Sequence, residues 1–322
     1  TQDLFPQGSR GSNPFPRTIS YHNNKQLKLF NTHNSKINIG VIMLEKIDWE
    51  SAINIRHSVR SYETREVDKE TIVKLENFVS NMKVPFKHNV KIRFFKADPN
   101  RRLYNNIKIT PKDGMAFITT TNIASISTAG FVGEMAILYA THLKLATCWF
   151  GHYALEELER IIPDIKTSTI SQNPKWGYGK DVVEGERAIC VSPLGYWKKE
   201  GLRLMDRVTG TLMSYKRKEI NALLDGEIKE ESLTPELLYA FDLARKAPSG
   251  ANSQHWRFKV SPDFKEISIA MPVGYKHIKW EHPDVDIGIC ACHFWLGLTM
   301  KKIKSKVSVT EEEGRAVWRF EI

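Results

Sequence analysis

The chain has 322 residues, of which 41% are hydrophobic and 10% aromatic. This composition is too apolar for a disordered chain, and the length predicts about two structural units. Lys and Arg number 47 against 37 Asp and Glu, which gives a formal charge of +10. An excess of this size raises nucleic acid as a partner, so its distribution along the chain has to be considered.

Residues 1–42 carry part of this charge, because they hold five basic residues and one acidic residue and so contribute +4. They are rich in Asn, Ser, Gly, Pro and Gln without an apolar period, which predicts a disordered extension. They lack the features of a secretory signal. Regular patterning begins just after Met43, so a second interpretation is that Met43 is the natural start. An intact native mass that includes residue 1 would contradict this second interpretation.

Cysteine usage and hydropathy indicate the cellular environment. The four cysteines form no paired CxxC motifs: Cys148, Cys190, Cys290 and Cys292. This pattern disfavours a metal site and favours a reduced, cytoplasmic protein. The longest apolar stretch, residues 129–151, is interrupted by Glu134, His142 and Lys144. Because a membrane helix needs about 20 consecutive apolar residues, no membrane span is predicted.

Capping residues and apolar periodicity predict the elements of the first half. Acidic N-caps mark helix starts, and runs of Phe, Ile and Val mark strands. The predicted elements are helices after Asp48 and Asp68, strands at 91–96 and 115–119, a long buried helix at 130–145, and a buried strand at 187–191 ended by the turn 192–195.

The second half repeats this order. Thr234 precedes Pro235 and Glu236, the arrangement of a helix start. Further along, the pattern predicts a strand at 255–260, an apolar helix at 288–300 and a final strand at 315–321.

The two halves align as copies of one unit. The corresponding positions are residues 83–85 with 246–248, Asn89 with Asn252, Gly130 with Gly288, and residues 184–188 with 313–316. The alternative is chance similarity. The duplication predicts a first repeat over residues 43–207 and a shorter second repeat over residues 208–322.

The alignment fails at two polar clusters. The first copy has Arg56-His57-Ser58-Val59-Arg60, where the second offers only Lys216-Arg217-Lys218. The second copy has Ser249-Gly250-Ala251 followed by Asn252-Ser253-Gln254, where the first has Phe86-Lys87-His88. Each half has therefore kept a cluster that the other has lost, and two half-sites would together make one complete site.

Each cluster suits a particular ligand chemistry. Two guanidinium groups with a hydroxyl between them, Arg56, Ser58 and Arg60, suit a phosphate or another dianion. A solvated basic turn is the alternative, and for this motif alone it is favoured. The small residues and amides of 248–254 allow close approach to a flat ligand, although an ordinary helix-to-strand loop would also explain them.

Together, in this order, the clusters resemble the FMN-dependent nitroreductase family. Residues 56–62, RHSVRSY, resemble the opening motif of that family. Residues 247–258, APSGANSQHWRF, resemble its APSxxNxQPW signature, except that His255 replaces the usual Pro. Residues 145–151, LATCWFG, resemble the segment after the central helix. The resemblance extends over residues 47–322.

The resemblance implies the fold. Ordinary members are intertwined homodimers with two flavin sites at the subunit interface. Here the motifs are divided between tandem copies, as in the subgroup whose single chain forms a pseudo-dimer. The expected fold class is α+β: a nitroreductase-like fold, with an antiparallel-rich central sheet flanked by helices, duplicated in one chain that is monomeric.

The resemblance also implies which residues hold FMN. From the first copy these are Arg56, His57, Ser58 and Arg60 at the phosphate, ribityl chain and pyrimidine, with Asn105 and Lys108 as weaker matches. Along the isoalloxazine would lie Thr147, Cys148, Trp149 and Gly151. A basic residue after the last strand of the first repeat would approach the phosphate, with Arg203 as candidate and Arg207 as rival. From the second copy come Pro248, Ser249, Gly250 and Asn252.

The implied activity is hydride transfer from NADH or NADPH through FMN to an electron-poor acceptor, a nitroaromatic or quinone. The flavin carries the chemistry, so no protein general acid is expected. A flavin carrier or sensor without turnover is the alternative. A nucleic-acid binder is disfavoured, because the best basic run, residues 301–306, is typical of a solvated helix end.

Overall fold

The computed structural model describes residues 47–166, 169–170, 181–182, 185–198, 216–276 and 280–322. In the first half, helices alternate with short antiparallel strands. The elements are α1 (Trp49–Ile55), α2 (Lys69–Asn81), β1 (Lys91–Lys96), β2 (Asp113–Thr120), α3 (Ile123–His142), α4 (Leu155–Ile161), β3 (Thr169–Ile170), β4 (Asp181–Val182) and β5 (Glu186–Leu194). Strands β1, β2 and β5 form one antiparallel sheet in that order.

The second half contains a four-stranded antiparallel sheet. Its elements are α5 (Ile220–Leu223), α6 (Pro235–Arg245), β6 (Arg257–Val260), β7 (Glu266–Ala270), α7 (Asp284–Met300), β8 (Lys306–Glu312) and β9 (Arg315–Glu321), with 3₁₀ turns at Glu230–Ser232 and Gly250–Asn252. The strand order is β6-β7-β9-β8. The mixture of helices and antiparallel sheets confirms the predicted α+β class.

Local signals explain where several helices begin. The Asp48 carboxylate accepts a hydrogen bond from the Ser51 amide at 2.9 Å, and the Thr234 hydroxyl caps α6 through the Leu237 amide at 3.3 Å. Asp68 precedes α2 as predicted but makes no capping bond. Its carboxylate instead accepts a 2.6 Å hydrogen bond from the Tyr196 hydroxyl.

Some predicted boundaries were wrong. Helix α3 starts at Ile123 rather than 130, because Asn122 caps it and its first turns are rich in Ser and Thr, which hides the apolar pattern. Strand β5 continues through Pro193, opposite Gly114, instead of turning at 192. Since β5 lies at the edge of its sheet, the missing N–H of proline is tolerated there.

Helices α3 and α7 cross at their closest point through two glycines. A Cβ atom on Gly130 would overlap the carbonyl oxygen of Val285, and a Cβ atom on Gly288 would overlap that of Ser127. The same offset relates Gly130 to Gly288 and Ser127 to Val285. The contact is therefore reciprocal, as expected at a twofold axis. The repeats form an intramolecular dimer, within the compact unit Gly40–Ile322.

Both central helices are buried almost all round. Within the described part of the chain, α3 is the one helix long and apolar enough to cross a membrane. However, 78% of its most apolar window is buried inside the fold. Helices that are hydrophobic on every side are typical of the centre of a large globular core, and α7 packs against α3 in that core.

The glycine crossing gives a stability prediction. Gly130→Ala and Gly288→Ala should each lower the free energy of unfolding by about 1–3 kcal/mol, because a backbone carbonyl has to move to admit the new methyl group. Urea unfolding followed by tryptophan fluorescence measures the loss. The control is Glu76→Ala on the exposed face of α2, which should change little. Unchanged midpoints in both glycine variants would contradict the close crossing.

Candidate functional site

The first motif leaves α1 and runs beside the segment that follows α3. Ser58 forms a parallel bridge with Thr147, and the Val59 amide donates to the Thr147 carbonyl at 3.0 Å. Farther along, Phe150 bridges Val191 of β5. The structure thus brings two of the three predicted motifs together, although they are about ninety residues apart in sequence.

Arg56 is the most deeply buried of the predicted cofactor-binding cations. Only 4% of its side chain is exposed. Its Nε lies 3.9 Å from Glu134 Oε1, and neither Nε nor Nη1 has a hydrogen-bond partner among the described residues. Burial lowers the pKa of Arg56, while the charge of Glu134 raises it. A buried guanidinium with unused donors is ready to bind an anion.

Glu134 connects both repeats. Its Oε2 accepts a 2.7 Å hydrogen bond from Trp149 Nε1, and its Oε1 lies 2.9 Å from His293 Nε2. The other ring nitrogen of His293, Nδ1, lies 3.1 Å from the Leu243 carbonyl. Since a carbonyl can only accept, Nδ1 carries a hydrogen. The contact of Glu134 with His293 thus joins α3 of the first repeat to α7 of the second.

Residues 216–218, which align with the first motif, form a second basic element of the candidate site. The sequence alone did not identify them as part of the site. Arg217 Nη1 donates to Asn252 Oδ1 at 2.7 Å. Burial, followed by repulsion from Arg56, lowers the pKa of Arg217 to about 10. The Lys218 amide donates to Gln254 Oε1 at 2.8 Å. The segment therefore supports the 248–254 loop and adds a cation near Arg56.

Positive backbone angles and a buried carboxylate shape the 248–254 loop. Ala251, Asn252 and Gln254 have φ values of 50°, 54° and 46°. The Gly250 amide donates to Asp286 Oδ2 at 2.8 Å. Burial raises the pKa of Asp286 well above its ordinary value. Pro248 is buried, while Ser249 is half-buried and its hydroxyl accepts from the Gln254 amide at 3.0 Å.

The remaining predicted residues differ from one another in burial and in contacts. The His57 ring packs edge-on against Trp197 at 4.5 Å. Cys148 is a buried free thiol. Gly151 lies directly against the Trp280 indole of the second repeat, which a Cβ atom would overlap. Arg60 is half-buried.

Asn105 and Lys108 lie in the segment that follows Tyr104. Tyr104 forms an antiparallel bridge with Tyr153, which lies two residues after the 145–151 motif. Asn105 Oδ1 is buried without a hydrogen-bond partner in the described chain, whereas Lys108 is exposed. Arg203 and its rival Arg207 lie outside the described residues. A separate groove of about 500 Å³ is lined by residues of all three strands of the first sheet and by residues 164–166, and the candidate residues do not line it.

Comparison with known proteins identifies the family of the chain. The family model described as "Putative TM nitroreductase" matches residues 48–163 and 169–298. The chain belongs to this family. A structure described as a putative nitroreductase from Thermotoga maritima matches at 19% identity and a TM-score of 0.53, covering 85% of this chain and 94% of that one.

Smaller nitroreductases match about half of the chain. An FMN-dependent nitroreductase from Clostridium difficile matches at 17% identity and a TM-score of 0.32, covering 48% of this chain and 92% of its own. A nitroreductase family protein from Clostridium novyi matches at 15% and 0.33, covering 50% and 91%. No curated protein matches the chain.

Where this chain departs from the family signature, a histidine replaces the usual proline. His255 is buried, and its Nδ1 lies 2.8 Å from the Ser253 hydroxyl. Its Nε2 lies 3.2 Å from the Pro283 carbonyl, and its ring stacks on Tyr275 at 4.5 Å. His255 therefore ties the signature loop to the start of α7.

Restoring the family proline should destabilise this chain. His255→Pro removes these contacts and forces Gln254, which has φ 46°, towards extended backbone. We expect a loss of about 2 kcal/mol or more in urea unfolding, from the unmade buried hydrogen bonds. His255→Asn, which retains an acceptor near the Ser253 hydroxyl, should lose less. If the His255→Pro variant and the wild-type protein were equally stable, that result would contradict the role of His255.

Proposed function

We propose that this nitroreductase family member is an FMN-dependent oxidoreductase that passes a hydride from NADH or NADPH to a small electron-poor acceptor, such as a nitroaromatic or a quinone. Family membership supports oxidoreductase activity. The observation that carries FMN is the buried Arg56 guanidinium at the first motif, with Nε and Nη1 unbonded within the described residues. FMN supplies a ring that accepts and donates hydride, together with a phosphate dianion.

The residues present fit such a cofactor. Arg56 and Arg60 would bind the phosphate, and His57 and Ser58 would adjoin the ribityl chain and pyrimidine edge. Asn105, whose buried Oδ1 lacks a partner in the described chain, could accept from the flavin. Arg203, or its rival Arg207, would also approach the phosphate.

The two faces of the ring would come from different repeats. The first would supply Thr147, Cys148, Trp149 and Gly151, and the second Pro248, Ser249, Gly250 and Asn252. Lys108 would approach the pyrimidine carbonyls, where a cation stabilises the anionic reduced form.

Aromatic side chains would fill the second possible cofactor position. Phe86 packs edge-on against Phe131 and Trp318, with ring centroids 4.9 and 5.0 Å apart. This packing supports one flavin site per chain. The alternative function, a flavin carrier or sensor, would retain FMN without turnover with NAD(P)H and a quinone.

The protein would act as a single chain in the cytoplasm. The reciprocal contact of α3 and α7 already provides the intramolecular counterpart of a family dimer. The four cysteines are buried free thiols, as suits a reducing compartment. The small-molecule acceptor would be the partner, with no role for nucleic acid or a membrane.

The stoichiometry is testable. Purified holoprotein should release about one FMN per chain, because Phe86, which packs against Phe131, would occupy the second position. Absorbance of the released flavin against protein concentration gives the ratio. A ratio near two would refute the single site, and a bound flavin that NADH and NADPH both fail to bleach would favour the carrier.

Loss of the buried cation should weaken cofactor binding. Arg56→Ala should reduce FMN affinity by roughly 10- to 100-fold, since a charge-assisted hydrogen bond contributes about 1.5–3 kcal/mol. Fluorescence titration of the apoprotein measures it. The control is Arg93→Ala, because Arg93 is an exposed arginine on β1 that pairs with Asp164. Full FMN retention by the Arg56 variant would contradict the assignment.

A further inference from the structure

A series of polar contacts, which we call the cross-repeat network, runs through the interior from one repeat to the other. It begins at the Leu243 carbonyl of α6, which lies 3.1 Å from His293 Nδ1 of α7. His293 Nε2 lies 2.9 Å from Glu134 Oε1 of α3, and Glu134 Oε2 accepts a 2.7 Å hydrogen bond from Trp149 Nε1. The side chains of Glu134 and His293 are fully buried. The network therefore connects the backbone of the second repeat to a side chain of the 145–151 segment.

Apolar packing encloses the Trp149 indole, and a hydrogen bond determines which edge of the ring faces α3. The ring centroids of Trp149 and Phe117 of β2 lie 4.5 Å apart. On the other side, a Cβ atom on Gly133 of α3 would overlap the indole. An indole has an N–H donor on one edge only, so turning the ring over would leave Glu134 Oε2 without this donor. Glu134 therefore fixes the orientation of the ring between α3 and β2.

His293 fixes Glu134 in turn. A glutamate side chain has several staggered rotamers, and a partner on each carboxylate oxygen selects one of them. The imidazole is itself held at both ring nitrogens, by Leu243 on one side and Glu134 on the other. Without His293, Oε1 of a buried carboxylate would lose its 2.9 Å partner, which is unfavourable unless the side chain moves. Such a movement would also displace the acceptor of Trp149.

The two ends of the cross-repeat network adjoin the two halves of the candidate site. At one end, Trp149 belongs to the 145–151 segment, whose Thr147 forms a bridge with the first motif. At the other end, Leu243 lies in α6, and α6 runs into the 248–254 loop. The network therefore gives the segment of the first repeat a fixed connection to the helix that carries the loop of the second.

We propose that His293 is a positioning residue, which orients Trp149 through Glu134 and thereby aligns the 145–151 segment with the half of the site that the second repeat supplies. Its own hydrogen bonds go to Leu243 and Glu134, so its effect on the segment is indirect. That the segment lies along the ring of a flavin rests on the proposed function.

Two substitutions of His293 separate the two sides of the imidazole. In His293→Gln the amide nitrogen can take the place of Nε2 and donate to Glu134. In His293→Asn the amide nitrogen can take the place of Nδ1 and donate to the Leu243 carbonyl. Each variant loses one buried hydrogen bond, so both should be less stable than wild type. Only His293→Asn breaks the connection to Trp149.

Ser127→Ala is a matched control for a general weakening of the repeat boundary. Ser127 also lies in α3 and is fully buried. Its hydroxyl donates to the Asp284 carbonyl of the second repeat at 2.7 Å and accepts from Trp318 Nε1 at 2.8 Å. The variant removes a polar contact between the repeats that does not involve the 145–151 segment. It should lower stability and leave Trp149 unchanged.

NMR observes Trp149 directly and needs no cofactor. In the full chain labelled with ¹⁵N at its eight tryptophans, Trp149→Phe identifies the indole N–H signal of Trp149. In His293→Asn this signal should shift, and its hydrogen exchange should become about tenfold faster. In His293→Gln and Ser127→Ala it should match wild type. An unchanged signal in His293→Asn, or an equal change in His293→Gln, would overturn the inference.

If His293→Asn does not fold, the network is tested from its other end. Trp149→Phe removes the indole donor and keeps an aromatic ring against Phe117. With ¹⁵N-labelled histidine, the ring-nitrogen signals of His293, identified by their loss in His293→Gln, should shift in Trp149→Phe because Glu134 has lost a partner. Unchanged His293 signals would overturn the inference.

Flavin titration of the apoprotein connects the network to the candidate site. His293→Asn should bind FMN and riboflavin about fivefold more weakly, and equally so, because the 145–151 segment would contact the ring that both flavins share. His293→Gln should bind both flavins as wild type does. A shifted Trp149 signal with unchanged affinity for both flavins would overturn the positioning role. If wild type binds neither flavin, the proposed function fails, while the NMR comparison still decides whether His293 orients Trp149.

Discussion

The candidate site depends on the close crossing of α3 and α7. At Gly130 and Gly288 each helix backbone meets a carbonyl of the other, with no room for a side chain. Tight crossing lets residues one turn farther along reach across the boundary between the repeats. Glu134 of α3 and His293 of α7 meet there, both fully buried. The same geometry thus joins the repeats mechanically and places a carboxylate at the site.

Buried charge explains why the surrounding contacts are so specific. An isolated charge inside a protein is strongly disfavoured, and a buried ion pair is tolerated when its remaining donors and acceptors are satisfied. Glu134 meets this condition through Trp149 and His293, and His293 through Leu243. Arg56 does not meet it. An uneven network of this kind concentrates its unsatisfied donors where a ligand can bind.

The sequence predicted the parts of the fold that local chemistry controls. Asp48 and Thr234 are capping residues whose effect lies within one turn, and both caps are confirmed. The correspondence of Gly130 with Gly288 is likewise confirmed by their reciprocal contact. The sequence predicted that β5 ends at Val191, because Pro193 is locally a turn signal. Pro193 is compatible with a strand only because β5 lies at the edge of its sheet.

The rest of the site required long-range contacts. Glu134 is recognisable in sequence only as an interruption of an apolar helix, and His293 interrupts the other one in the same way. An acid and a histidine in two helices that are otherwise buried each need a partner, which was the available signal for pairing them. Arg217 gave no such signal, because its segment aligned poorly with residues 56–60. Its place beside Asn252 depends on the folded loop.

The asymmetry between the repeats follows from this chemistry. The offset that relates Gly130 to Gly288 relates Glu134 to Cys292, so the carboxylate has a thiol as its counterpart in the second repeat. Phe86 packs edge-on against Trp318, with ring centroids 5.0 Å apart. In a homodimer, one substitution alters both sites at once, whereas a tandem chain can lose one site and keep the other. A neutral thiol is a less unfavourable occupant of an apolar, fully buried helix than a carboxylate, because a buried carboxylate needs a set of hydrogen-bonding and charged partners.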